Sequence, residues 1–277
     1  MAGNLSSIKQ RIRSIQSTRK TTKAMEVVAN AKLAKAKKEA GKSSDYTNAL
    51  IEISNIVLSG LDQDCVYTQA NPDLPKANII ITSDMGLCGG YNANLLKLVQ
   101  ESITDNEFIY IIGSHEVTHI KLFNSNVLNE ILKSDNLLYE DIRKVANTLL
   151  QLYTEQKIGG INVFYTRFIN TLTFEPTSVT LLPFQHQGDK STNGFFDFEP
   201  NGYEIAMELI PMMVTNNLWE YVKESKLSEY AARRAAMESA NNNAQDMIEE
   251  LTLKYNQARQ SAITTQISEI VAGANAT

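Results

Sequence analysis

Apolar residues fall on a four-three beat near both ends of the chain and in short unbroken runs between them. Near the start, Ile8, Ile12, Ile15, Thr22, Ala29, Leu33 and Ala36 keep a heptad-like spacing, with polar residues filling two slots. Near the end, Met237, Ala240, Ala244, Met247 or Ile248, Leu251, Tyr255, Ala258 and Ala262 do the same. Such seams bury against a second helix, and their many small residues predict a slim pair. Glycine and proline placement agrees. Gly3 and Gly60 bracket one glycine, Gly41, and no proline; Pro211 and Gly273 bracket neither over 61 residues. A first helix from about Leu5 to about Leu58 would run ~80 Å, and the second gap alone ~90 Å, at ~1.5 Å per residue.

The middle of the chain has a different period. Ala77–Ser83 and Phe108–Ile112 are short apolar runs that read as buried strands. Between them the Gly86–Gly90 loop leads to a helix capped by Asn92 and ending near Glu101. Leu137–Gln156 carries apolar residues at 138, 142, 145, 149 and 152, a helical spacing. Asn162–Phe168 and Ser178–Leu182 are further strands, and residues 185–201 form a loop back to the last helix. Strands alternating with helices predict a doubly wound, mostly parallel sheet. The domains expected are a helical arm over 1–60, an α/β domain over 61–201 and a second arm over 202–277. A domain of ~110 residues has a radius of gyration of ~13 Å. Arms this long cannot bury their stripes on it, so they bury them on each other, antiparallel. With the last helix starting near Tyr203, its end overhangs its partner by roughly 15 residues, or ~22 Å.

Composition adds little until it is split by region. Apolar residues make up 43% and charged residues 21% of 277, and the net charge is −5. These values exclude a disordered or collagen-like chain and give no reason to expect a nucleic-acid partner. No stretch approaches the ~20 apolar residues of a membrane span, and residues 1–20 lack an apolar signal core, so the expectation is a soluble, cytoplasmic chain. Two cysteines, Cys65 and Cys88, make no disulfide framework. Residues 1–42, however, hold eleven Lys/Arg against Glu26 and Glu39, a local charge of +9 that leaves −14 on the rest. A basic arm on an acidic body invites an acidic partner, although a solvated helix face has the same composition.

Catalytic constellations do not assemble. His115–His119 matches H-E-x-x-H, which on a helix places two imidazoles on one face with Glu116 as base. Zinc chemistry also needs a third ligand and an open position, and nothing aims Glu130 or Glu140 as that ligand. The motif follows a strand directly, so it reads as two surface histidines. The loop Ser83–Asn92 could cradle an anion at a helix N-terminus, but it is neither G-x-G-x-x-G nor a P-loop and reads as a tight turn. Cys88 has no cysteine–histidine–acid spacing around it, and Trp219 and the tyrosines read as packing residues. No catalytic residue, metal or cofactor is expected.

The stretch Lys20–Ala29 (KTTKAMEVVA) resembles the K-I-T-K-A-M-x-M-V-A of the γ subunit of rotary F-type ATP synthases. Ser228–Arg233, Ala236-Met237, Leu251–Thr264 and Glu269–Ala274 resemble its C-terminal signature, and Ser83–Gly90 resembles its S-D-R-G-L-C-G-G. Met85 stands where the family has arginine, Tyr91 where it has leucine, and Asn241–Asn243 where it has Thr-Asp-Asn or similar. The resemblance spans essentially the whole chain. It implies an α/β fold class: an antiparallel coiled coil of the long N- and C-terminal helices plus a Rossmann-like central domain.

The function it implies is that of the central rotor shaft of the F1 catalytic head, inside a ring of three α and three β subunits (the α3β3 hexamer). Rotation is then coupled to ATP synthesis or hydrolysis and to proton flow through the membrane sector. The shaft binds no nucleotide and does no chemistry itself. Position by position, Met25 matches a methionine near the acidic β lever, and Arg233 the arginine of the Ser-Glu-x-Ala-Ala-Arg run. Arg259, Gln260 and Thr264 match contacts to the β catch loop. An ε subunit and the c-ring are expected at the foot, on the cytoplasmic face of the cell membrane and without direct membrane insertion. Two other readings remain open: the shaft of an F1-like ATPase driving non-proton-translocating machinery, and a coiled-coil adaptor.

Overall fold

The computed structural model describes residues 2–59, 65–104, 106–115, 126–128, 132–135, 137–184, 199 and 201–274. Helix α1 spans Ala2–Ser59 and a 3-10 turn Val66–Thr68 follows. Strand β1 spans Lys76–Ile81, α2 Tyr91–Ser102, β2 Phe108–Ile112 and β3 Asn126–Val127. Helix α3 spans Tyr139–Thr154, β4 Gly160–Phe168, β5 Phe174–Leu182 and α4 Gly202–Ala274. The chain divides into two compact units. Met1–Asn30 with Arg233–Thr277 forms unit 1, and Ala31–Ala232 forms unit 2.

Unit 2 is built on a five-stranded sheet ordered β3-β2-β1-β4-β5. β1 pairs parallel with β2 and with β4, β2 parallel with β3, and only β4–β5 is antiparallel. β1 is buried from Ala77 to Ile81, apolar but for Asn78, because both its faces are covered. On one face Ala77, Ile79, Ile81, Ile161 and Val163 pack with Ile142, Val145 and Leu149 of α3 and Ile210, Met213 and Leu218 of α4. On the other, Ile80, Ile109, Ile111 and Phe164 pack with Leu95 and Val99 of α2. The mostly parallel sheet expected from the alternating pattern is therefore present.

Two local expectations are corrected. Asn92 does not cap α2: Gly90 holds the cap position, and the Asn92 side chain is buried in the first turn, where it bonds Ser83. The helix expected over Leu137–Gln156 is shorter at both ends. Leu138 is its N-cap, its N–H donating to the Asp141 carboxylate at 3.1 Å, and Gln156 lies beyond it with φ +55°, a left-handed conformation.

In unit 1, residues 5, 8, 12, 15, 22, 25 and 26 of α1 are half-buried and Ala29 is buried, while the positions between them are exposed. On α4, Met237, Asn241 and Ala244 are buried and 240, 248, 251, 255, 258 and 262 half-buried. Of the alternatives Met247 and Ile248, the seam takes Ile248, and Met247 is exposed. The Thr22 hydroxyl donates to Asn241 Oδ1 at 2.5 Å, and the Asn241 amide donates to Glu26 Oε2 at 2.6 Å. Further along, Arg11 acts electrostatically on Glu250. As α1 numbers fall, α4 partners rise, so the pair is antiparallel. The Thr22–Asn241 register sets Ala2 level with about residue 261, leaving roughly 13 residues of α4 beyond it, or ~20 Å. Ile263, Ile267, Ile270 and Val271 in that stretch are exposed.

The turn after β2 needs a glycine. Gly113 has φ +112°, and a Cβ there would lie 2.4 Å from both the carbonyl and the hydroxyl oxygen of Thr82. Thr82 N–H is bonded to the Ile112 carbonyl and Gly113 N–H to the Leu132 carbonyl, so neither backbone is free to move away. Gly113→Ala is predicted to cost about 3 kcal/mol or more, through the disfavoured φ and the overlap together. Urea unfolding of the variant checks this, and a loss below about 1 kcal/mol would contradict it.

Candidate functional site

The five residues singled out from the sequence all lie in unit 1, and they fall into two groups. Met25 and Arg233 are both half-buried. By the Thr22–Asn241 register Met25 is level with about residue 238, some five residues from Arg233. Arg259, Gln260 and Thr264 lie about 21 residues further along α4, or ~30 Å. All three are exposed.

At the level of Met25 the helices leave a groove of about 670 Å³, whose lining includes Arg19, Lys20, Lys23, Glu26, Glu238 and Asn241 but neither Met25 nor Arg233. The seam explains it. Between Ile15 and Thr22 the heptad slot falls at Arg19, which is too long and too polar to bury, so the helices leave a polar hollow. Lys23 bonds Glu26 at 2.8 Å, and chiefly this contact holds the Glu26 carboxyl below its ordinary pKa. Arg19 and Lys20 keep the hollow's edge basic. Asn241 was flagged in the sequence only as a departure. It is a buried seam residue whose two hydrogen bonds tie α4 to α1.

The second group has a simpler setting. Thr264 donates its hydroxyl to the Gln260 carbonyl one turn back, so its methyl and the Gln260 amide share a helix face. Exposed Ile263, Ile267 and Ile270 continue at helical spacing beside it. This end of α4 offers an apolar surface with few charges, whereas the Met25 level offers a basic one.

In unit 2 the Ser83–Gly90 loop is filled by the chain's own groups. The Asp84 carboxylate accepts the backbone N–H of Ser134 at 3.0 Å and of Asp135 at 2.7 Å, and the Ser114 hydroxyl at 3.3 Å. The His115 ring lies against Gly86, where a Cβ would come within 2.7 Å of Nε2. The Asp84 carboxylate ties this loop to the segment ahead of α3. Of the H-E-x-x-H motif, His115 belongs to this loop packing, with Nδ1 3.4 Å from the Asn92 amide, while Glu116 and His119 lie outside the described residues. Glu130 also lies outside them, and Glu140 pairs with Arg143. Among the described residues no group of three His, Cys, Asp or Glu is arranged to hold a metal ion.

Behind the loop lies a charged cluster that the sequence did not reveal. Lys226 of α4, only 9% exposed, bonds Asp135 at 2.7 Å and Glu229 at 2.9 Å and stands 4.0 Å from Asp84. Lys32 of α1 reaches Asp135 at 3.2 Å. Burial alone pulls the Lys226 pKa down, but Glu229 and Asp135 more than offset it and hold it above the ordinary value. Burial pushes Asp135 up, and Lys226 and Lys32 overcome that to hold it below its ordinary value of 3.8. Tyr91, where the resembling family has leucine, donates or accepts a 2.8 Å bond with Ser225 one residue away from Lys226.

The family model described as ATP synthase matches residues 4–277. An ATP synthase gamma chain from Mycoplasma mycoides subsp. mycoides is 36% identical over 276 residues, 99% of each chain. One from Clostridium pasteurianum is 34% identical over 280 residues, covering 100% of this chain and 99% of that one. Among solved structures, a chain of the Euglena gracilis mitochondrial ATP synthase, from its OSCP/F1/c-ring assembly, superposes with a TM-score of 0.69 at 17% identity. That match covers 100% of this chain and 95% of the other and shows a shared fold.

The Asp135 pairing carries a pH signature. An acid with a lowered folded pKa stabilises above its unfolded value and loses that contribution as pH falls through the folded pKa. The stability advantage of the natural chain over Asp135→Asn is therefore predicted to be full near about pH 6 and to vanish progressively below about pH 4. Urea unfolding midpoints of the two proteins across that range check it, and an advantage independent of pH would contradict it.

Proposed function

The chain belongs to the ATP synthase gamma chain family, and from that membership we propose that it is the central rotor shaft of an F1 catalytic head. The observation that carries the reading is co-extension: the named relatives align with this chain over nearly their full lengths. Residues 1–60 and 202–277 are the two strands of the shaft, and 61–201 are the foot. The shaft stands within three α and three β subunits, and its rotation couples to ATP synthesis or hydrolysis at the β sites. The foot meets an ε subunit and a c-ring, through which rotation couples to proton flow. No helix among the described residues is long and apolar enough to cross a membrane. The chain works at the cytoplasmic face of the cell membrane as a peripheral part of the complex.

The two groups in unit 1 suit two different contacts. Met25, at the level of the exposed Lys20 and Lys23, meets the acidic lever of β, and Arg233 is a further contact with the ring of α and β subunits. Met25 is flexible and apolar, so it slides past a neighbour without holding it. Arg259, Gln260 and Thr264 meet the catch loop of β, on a face where exposed isoleucines continue the surface.

The isolated chain is predicted to hydrolyse no ATP and to support hydrolysis when assembled with α and β subunits. Steady-state turnover of the purified chain alone and of the reconstituted complex checks this; turnover by the lone chain would overturn the reading. Met25→Lys adds a cation where the lever passes. In a partly desolvated contact the added attraction is on the order of 1–2 kcal/mol at one rotor angle. Since ~1.4 kcal/mol slows escape about tenfold, one dwell should lengthen while assembly survives. Unchanged dwell times in single-molecule recordings would remove the lever contact from this position.

A further inference from the structure

The charged cluster of unit 2 joins four pieces of chain that are remote in sequence. Lys226 and Glu229 come from α4, Lys32 from α1, Asp84 from the loop after β1, and Asp135 from the segment ahead of α3. Asp84 in turn fixes the backbone at Ser134 and Asp135 through their amides. The ring of Tyr230 lies under both lysines, 5.3 Å from Lys32 and 5.8 Å from Lys226. Lys226 and Glu229 are almost fully buried. The ends of the strand loops and the two long helices therefore meet at the Lys226–Asp135 pair, α4 through Lys226 and α1 through Lys32.

Apolar packing holds the sheet onto α4 elsewhere in unit 2. That packing resists separation but is non-directional, so it opposes sliding only through interdigitation. The 2.7 Å bond from buried Lys226 to Asp135, on a segment remote from α4, is directional, while Glu229, one turn along α4, holds the ammonium in place. A slip of α4 along or around the sheet would carry buried Lys226 away from Asp135 and Asp84, and separating a buried charge from its counterions is unfavourable. We propose that Lys226 is a torque clamp: a positioning residue that locks the α/β domain to the shaft helices, so that foot and helices turn together under load. The proposal rests on the shaft reading. It assigns Asp84 of the Ser83–Gly90 motif a mechanical role, as the link between Lys226 and the backbone at Ser134 and Asp135.

The test uses the full-length chain assembled with α and β subunits and carrying Lys226→Met, which keeps the side-chain length and removes the charge. A bead is fixed to the foot through Glu101→Cys, on the exposed end of α2. Unloaded ATP turnover should stay within about twofold of the natural complex, because the clamp touches no reacting group. Torque delivered to the bead should fall by about half or more. Hydrogen exchange at the Ser134 and Asp135 amides should quicken about tenfold, with β1 and β4 unchanged. Lys226→Arg should restore both. Unchanged torque with unchanged exchange at those two amides overturns the clamp. If Lys226→Met loses protection throughout the sheet, Asp84→Asn, which leaves Lys226 paired with Asp135 and Glu229, takes its place under the same two criteria. A natural complex that hydrolyses ATP without turning the bead would instead defeat the shaft reading, and the exchange measurement would still judge the clamp.

Discussion

Everything in unit 1 depends on two helices having only each other to cover their apolar stripes. The stripe on α1 is thin, built from Ile8, Ile12, Ile15, Ala29 and few others, and that on α4 is rich in alanine. A lone helix with such a stripe would leave it in water, at ~25 cal/mol for each Å² left uncovered. Small residues let the backbones approach closely, so a narrow pair forms rather than a bundle. Narrowness is also what a shaft within a ring of subunits requires.

The seam is interrupted at the level of Arg19 and Asn241. Arg19 takes a slot that a leucine would fill in a continuous coiled coil, and Thr22, Glu26 and Asn241 close the gap with hydrogen bonds. The same stretch carries the exposed lysines of the basic arm. Stability and surface chemistry are thus traded at one level of the pair, and the apolar positions on either side of it hold the helices together. In unit 2 a buried lysine with its carboxylates holds strand loops and helices at one point.

Period and punctuation made the helices, strands β1, β2, β4 and β5 and the seam positions legible, because each follows from a residue's neighbours within a turn or two, whereas the two-residue β3 is too short to show a period. Even the choice between Met247 and Ile248 was narrowed to one step. Contacts between remote segments were not legible. Nothing near Asp84 in the sequence announces Ser134 or Lys226, and nothing near Asn241 announces Thr22. Asn92 illustrates the limit differently. Its identity and position suit a helix cap, but Ser83, in the loop after β1, offered its side chain a buried partner, and that contact overrode the local preference. The five residues named by the resemblance lie at two levels of unit 1, Met25 and Arg233 half-buried and Arg259, Gln260 and Thr264 exposed. Of the H-E-x-x-H match, set aside on the sequence for want of an aimed third ligand, only His115 lies among the described residues, packed against Gly86.

The central claim is that the helix pair of unit 1 is the part that stands among the catalytic subunits. Electron cryomicroscopy of the chain assembled with its α and β subunits tests it most directly. The account predicts unit 1 on the axis of the ring, with Arg259–Val271 enclosed by it, and the pair found in several orientations about that axis. Density placing unit 1 outside the ring, or in one fixed orientation whatever the nucleotide supplied, would contradict it.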